Sequence, residues 1–271
     1  MKFNENSKII PLKKLELSDE EIRSLYIPKK YDSIKESITC YQKEYYYYKS
    51  VTANLLINEL LGSYLAKKVG LDTVDYKIGE MQNQIYVLSK IFYEPNYSYS
   101  DFRSYYGEIQ FLDLSFYQTL MSFFYLSEFE LLNKIKSSEL LKSILKLTAL
   151  DLKMGQFDRH NKNLLLKINQ NNDVNLVSQF DYGGSYPIKG TPYLIYDNPA
   201  IILRKNKKSL LAFSESFPEF VDYVSLLYHI PIDDAMKDIE NEKLIEFDSE
   251  EMYFYQKQDI ENNKILRKIL Y

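Results

Sequence analysis

Two apolar runs at 164–168 and 174–180 flank the polar stretch Asn169-Gln170-Asn171-Asn172-Asp173. Strand formers on both sides of a turn-rich segment call for a β-hairpin, and a hairpin sets the entry to its first strand beside the exit from its second. What enters is the loop Asp158-Arg159-His160-Asn161-Lys162-Asn163; what leaves is Asp181-Tyr182-Gly183-Gly184. Asp158, Asn163 and Asp181 should therefore converge although they are far apart in the chain. Two carboxylates brought close repel, and a divalent cation removes that penalty by binding both in the ionised form. The arrangement asks for Mg²⁺ held by oxygen ligands.

The rest of the chain supplies a frame. The run Tyr45-Tyr46-Tyr47-Tyr48 ends at Lys49 and predicts a strand over 41–49, with Lys43, Tyr45, Tyr47 and Lys49 on one face. From 51 to 69 the spacing turns helical through Leu56, Leu60, Leu61, Tyr64 and Leu65, and Gly70 stands where a helix stops. Glu59 lies inside that helix beside Leu55, Gly62, Ser63 and Ala66, a stripe of mostly small residues that lets another chain segment approach closely. Residues 74–78 and 84–92 read as two further antiparallel strands around a turn at 79–83. Glu94-Pro95-Asn96 breaks the pattern, so a boundary is expected near 94, with an irregular Tyr/Ser-rich linker running to Gly107. Helices are expected over 111–132 and 139–154, the second stopped by Gly155 ahead of the loop and hairpin, then a loop from beyond Gly184 to 199, and helical patterns over 210–228, 233–239 and 250–270.

The order of Lys49, Glu59 in Asn58-Glu59-Leu60-Leu61-Gly62-Ser63, Gly155-Gln156-Phe157-Asp158-Arg159-His160-Asn161-Lys162-Asn163, and Phe180-Asp181-Tyr182-Gly183 resembles the HipA-like serine/threonine kinases and their phosphatidylinositol-kinase-like relatives. The resemblance spans roughly 43–185. It implies an α+β, bilobal protein-kinase-like fold: a small β-rich N-lobe with one main helix over 1–94, and a larger, mostly helical C-lobe over 95–271 carrying the catalytic hairpin. It also implies ATP and Mg²⁺ as cofactors. Asp158 would be the catalytic base toward a hydroxyl-bearing acceptor, with serine or threonine in protein preferred. Asn163 and Asp181 would hold the metal, and Lys49, paired with Glu59, would contact the α/β-phosphates.

Composition narrows the alternatives. A formal net charge of -4 and a pI near 5.5 offer no global attraction for nucleic acid or anionic membrane, so neither partner is expected. Cys40 is the single cysteine, which rules out an internal disulfide and fits a reducing, cytoplasmic setting. The most apolar stretch, 111–129, is interrupted by Asp113, Gln118, Ser122 and Glu128, so no membrane span is expected. Asp and Asn are also common in turns and caps, but a further Asp at the hairpin's end favours the metal-binding reading. With Asp158 in the base position, His160 reads as structural, and Arg204-Lys205-Asn206-Lys207-Lys208 reads as a solvated loop. No glycine precedes Gly62, so a Gly-rich phosphate loop is missing, and the polar stretch 33–39 is the candidate replacement. A pseudokinase or nucleotide-binding interaction module without turnover is therefore the alternative reading.

Overall fold

The computed structural model describes residues 2–3, 7–15, 17–25, 37–101, 105, 139–156, 165–186, 203–204, 207–243 and 245–271. In chain order the elements are β1 (Lys2–Phe3), β2 (Ile9–Pro11), α1 (Asp19–Ser24), β3 (Ile38–Tyr41), β4 (Glu44–Ser50), α2 (Ala53–Lys68), β5 (Lys77–Met81), β6 (Gln84–Lys90), β7 (Ser98–Asp101), α3 (Glu139–Met154), β8 (Leu165–Ile168), β9 (Val174–Leu176), α4 (Lys207–Ser216), α5 (Pro218–Tyr228), α6 (Ile232–Lys243), β10 (Ile245–Glu246) and α7 (Ser249–Leu270). The chain mixes α and β, with sheet structure concentrated in its first third and helices in its last.

Five strands form one sheet in the order β2-β5-β6-β4-β3, antiparallel except for the β2–β5 pair. Both hairpins in it turn on two residues of positive φ, Gln42 and Lys43 in one and Gln82 and Asn83 in the other. Such turns match the twist of the flanking strands. Lys43 is thereby a turn residue rather than part of the strand face, and the second turn is confined to 82–83, leaving Gly79 and Glu80 paired in β5. Side chains alternate along β4: Tyr46 and Tyr48 pack with Ile10, Leu12 and Leu88 on one face, which leaves Tyr47 and Lys49 to the other. That second face carries Ile78 and Val87 and is covered by Leu56, Ile57 and Leu60 of α2. Pleating alone thus aims Lys49 at the helix that carries Glu59. Thr39, in the polar stretch 33–39 offered above as a replacement phosphate loop, is paired in β3, and 33–36 lie outside the described residues.

Helix α2 is capped by the Thr52 side chain and ends at Gly70, whose φ of +66° lets the Leu71 N–H reach back to the Ala66 carbonyl at 2.9 Å. Helix α3 ends the same way: Gly155 has φ +62° and the Gln156 N–H bonds the Asp151 carbonyl at 2.9 Å. Both stops fall where the glycines predict them. The expected helix over 111–132 lies outside the described residues.

Two expectations change. The stretch after 94 is not wholly irregular, because Ser98–Asp101 pairs antiparallel with β8 and makes a three-stranded sheet β7-β8-β9. The hairpin's return strand stops at Leu176 rather than running to Phe180. Beyond it Gln179 leaves the hairpin to bridge Thr73 in parallel, its N–H bonding the Asp72 carbonyl at 2.8 Å and its carbonyl accepting the Val74 N–H at 3.0 Å. This stitch ties the approach to Asp181 directly to the loop after α2. A single apolar cluster then runs from α2 and β5 through α3, β8 and β9 to α5, α6 and α7, including Tyr182 and Tyr186. No helix among the described residues is long and apolar enough to cross a membrane.

Candidate active site

Lys49 leaves β4 one residue before the strand ends, and its Nζ lies 3.0 Å from Glu59 Oε1 and 2.7 Å from Asp181 Oδ1. Three sequence-distant residues, all singled out from the sequence, are therefore one cluster. Its two acids differ in setting: the Glu59 side chain is 1% exposed, whereas those of Lys49 and Asp181 are 32% and 31% exposed. Burial works against the Lys49 ammonium, but Glu59 and then Asp181 outweigh it and hold the group above its ordinary value. The lysine is a fixed cation with one carboxylate behind it and one in front.

The buried acid is held by more than the ion pair. Glu59 Oε2 accepts the Tyr182 backbone N–H at 2.8 Å, so both carboxylate oxygens are used. Tyr76, just before β5, contributes a hydroxyl that hydrogen-bonds with Glu59 and accepts the Asp181 N–H at 3.0 Å. Burial first, and then the Glu59 charge, push the Tyr76 phenol well above its ordinary value. A buried ion pair is stable only when its remaining hydrogen-bonding capacity is met, and here backbone and phenol meet it.

Close approach is possible because of Gly62. A Cβ there would stand 2.1 Å from Tyr182 Cγ, so the ring of the residue after Asp181 occupies the space that a side chain on α2 would need. This is the use of the small-residue stripe. The Tyr182 hydroxyl lies 2.9 Å from Thr73 Oγ1, and Thr73 also donates to the Gln179 carbonyl.

Asp181 itself has φ +60°, a left-handed conformation that aspartate tolerates better than most residues but that needs support. Support comes from both sides: Tyr76 takes its N–H, and Gln156 Nε2 donates to its carbonyl at 3.2 Å. Phe180 stacks on Phe92 with ring centroids 5.8 Å apart, linking this turn to the segment that follows β6. The Asp181 carboxylate is a hard oxygen donor on an anchored backbone, which fits Mg²⁺, an ion usually bound through one or two carboxylates together with phosphate oxygens. Asp158, Asn163 and His160 lie outside the described residues, so the convergence of the first two with Asp181 stays an expectation.

Reading the sequence missed four supporting residues: Asn58, Tyr76, Gln156 and Tyr182. Tyr182 and Gln156 flank recognisable motifs and could have been flagged by position. Tyr76 is one of 26 tyrosines and carries no local signal. Arg204, read as part of a solvated basic cluster, instead donates to the Leu152 carbonyl at 3.2 Å and to Asn262 Oδ1 at 2.7 Å, tying the end of α3 to α7.

No protein-family model and no curated protein matches this sequence. Solved structures do. The chain is similar to the proinflammatory kinase CtkA of Helicobacter pylori, with a TM-score of 0.57 at 17% identity over 86% of this chain and 94% of that one. It is also similar to HipA of Shewanella oneidensis MR-1, solved with HipB and operator DNA, with a TM-score of 0.58 at 14% identity over 86% of this chain. This chain spans 63% of that HipA chain. The chain therefore shares its fold with these two structures, in line with the HipA-like resemblance of its motifs. The expectation that nucleic acid is not a partner gains nothing from these likenesses, since the HipA structure includes DNA.

Proposed function

We propose that this chain is an ATP- and Mg²⁺-dependent phosphotransferase of the HipA-like kind, moving the γ-phosphoryl group to a hydroxyl, with serine or threonine in protein as the preferred acceptor. The supporting observation is Lys49 bridged between buried Glu59 and half-exposed Asp181 at 3.0 and 2.7 Å. That geometry fits a lysine held ready to take the α/β-phosphates beside a carboxylate that takes their metal.

In this reading residues 1–94 and 95–271 are the two lobes, and the nucleotide lies between them. Glu59 fixes the Lys49 ammonium, so little reorganisation is needed when phosphate arrives. Asp181 and Asn163 would hold Mg²⁺, whose chemistry there would be neutralisation of phosphate charge. Asp158 accepts or orients the acceptor hydroxyl's proton.

Transfer of labelled phosphate from ATP to protein serine or threonine tests the proposal. Asp158→Ala should lower transfer by about 10²–10⁴-fold, the usual contribution of a general base, while circular dichroism stays unchanged. Transfer by that variant at the wild-type rate removes the base assignment. ATP-dependent thermal stabilisation without transfer would instead favour a nucleotide-binding module.

A further inference from the structure

Asn58 precedes Glu59 on α2 and is buried, at 4% exposure. Its Nδ2 donates to the Gly183 carbonyl at 2.9 Å and to the Ser185 carbonyl at 2.6 Å. Its Oδ1 accepts the hydroxyl of Tyr255, in α7, at 2.8 Å. Both amide protons and the carbonyl oxygen are thus engaged. Neighbouring Glu59 holds the Tyr182 N–H, so consecutive residues of one helix grip the 181–185 turn by its donors and by its acceptors.

The two turn carbonyls decide which way round the amide sits. Carbonyl oxygens only accept, so Nδ2 must face the turn, and the flipped amide would set oxygen against both of them. Oδ1 is then left to the Tyr255 hydroxyl. Tyr255 is fully buried, its ring is edge-on to Tyr186 at 5.2 Å, and its hydroxyl also lies 3.2 Å from the Asn54 carbonyl. A residue of α7 thereby braces a side chain beside the Lys49–Glu59 pair.

We propose that Asn58, braced through its Oδ1 by Tyr255, is a positioning residue for the Asp181-Tyr182-Gly183 turn, which makes helix α7 a working part of the nucleotide and metal site. This rests on the phosphotransferase reading above. Without the clamp the turn samples other conformations, and the apparent affinity for Mg²⁺–ATP falls by the fraction of molecules that keep it in place.

The test compares wild type, Asn58→Ala, the milder Tyr255→Phe, and Tyr253→Phe as a control on an exposed tyrosine of the same helix. Backbone hydrogen exchange over 181–186 and steady-state transfer with Mg²⁺–ATP are measured on each. Removing a buried hydrogen-bond partner should speed exchange over 181–186 and raise KM for Mg²⁺–ATP, each by about tenfold in Asn58→Ala and by a smaller factor in Tyr255→Phe. Exchange in α3 should stay at the wild-type rate, and Tyr253→Phe should match wild type throughout. Unchanged exchange over 181–186 in both variants overturns the clamp, as does an equal rise across α3 and α7, which marks simple destabilisation. Wild-type protein that binds no Mg²⁺–ATP overturns the phosphotransferase reading instead, and the exchange result then judges the clamp alone.

Discussion

Glu59 Oε2 accepts the backbone N–H of Tyr182 at 2.8 Å while Oε1 of the same carboxylate pairs with Lys49. One buried acid therefore binds both the lysine and the turn that carries Asp181.

Glu59→Ala leaves the Tyr182 N–H and the Lys49 ammonium without their buried partner. Breaking a buried pair from one side costs about 3–5 kcal/mol, and the remaining contact of Lys49 with Asp181 should hold the loss near the lower figure. Urea denaturation checks this, and a loss of about 0.5 kcal/mol or less, typical of an exposed pair, would show that the carboxylate is not the anchor described.

Gly62→Ala gives a prediction whose sign separates two effects. On helix propensity alone alanine should stabilise α2 by about 1 kcal/mol. The new Cβ would instead stand 2.1 Å from Tyr182 Cγ, and Tyr182 is fully buried with its hydroxyl against Thr73, so it has nowhere to retreat. Overpacking of this kind costs about 1–3 kcal/mol, so the variant should be less stable and its ATP-dependent thermal shift smaller. A more stable Gly62→Ala would mean that the ring yields easily.

Local patterns made much of this legible. Gly70 and Gly155 mark helix ends because the backbone there needs positive φ, and the alternation of Tyr46, Tyr47, Tyr48 and Lys49 decides which face the lysine takes. The Lys49–Glu59 pair follows from a strand feeding a helix that packs back on it. What escaped is long-range. Pairing of Ser98–Asp101 with β8 depends on an edge supplied some 65 residues later, and the divergence of Gln179 from its hairpin depends on Thr73. Asn58 gave no signal because its partners, Gly183, Ser185 and Tyr255, are recognisable only once the helices have packed.

Lys153 and Asp259 form a second buried pair, at 2.8 Å, away from the proposed chemistry. The lysine also donates to the Ile230 carbonyl and to Asn263 Oδ1, both at 3.1 Å, so α3 is joined to α7 and to the end of α5. Burial lowers the Lys153 value and raises that of Asp259, so desolvation opposes both charges. Lys153→Met alone should cost about 3–5 kcal/mol by stranding a carboxylate, whereas Lys153→Met with Asp259→Leu should recover most of that loss. A double-mutant cycle measures the coupling. Additive losses would mean that the two groups act independently.

Tyr76 supplies a test in alkali. Its phenol is buried and lies beside Glu59, so its folded-state value stands well above 10.0, while the unfolded chain titrates near that figure. Above pH 10 the folded protein keeps a proton that the unfolded chain has released. Stability contributed by this group is therefore complete below the unfolded value and declines as pH rises toward the folded one. Each such tyrosine steepens the decline by about 1.4 kcal/mol per pH unit. Tyr76→Phe removes one titrating phenol and also the acceptor for the Asp181 N–H. It should start less stable at neutral pH and then lose stability less steeply in alkali, so the two curves converge. Urea titrations at stepped pH provide the measurement. Parallel curves would place the Tyr76 hydroxyl in contact with water rather than locked between Glu59 and the turn.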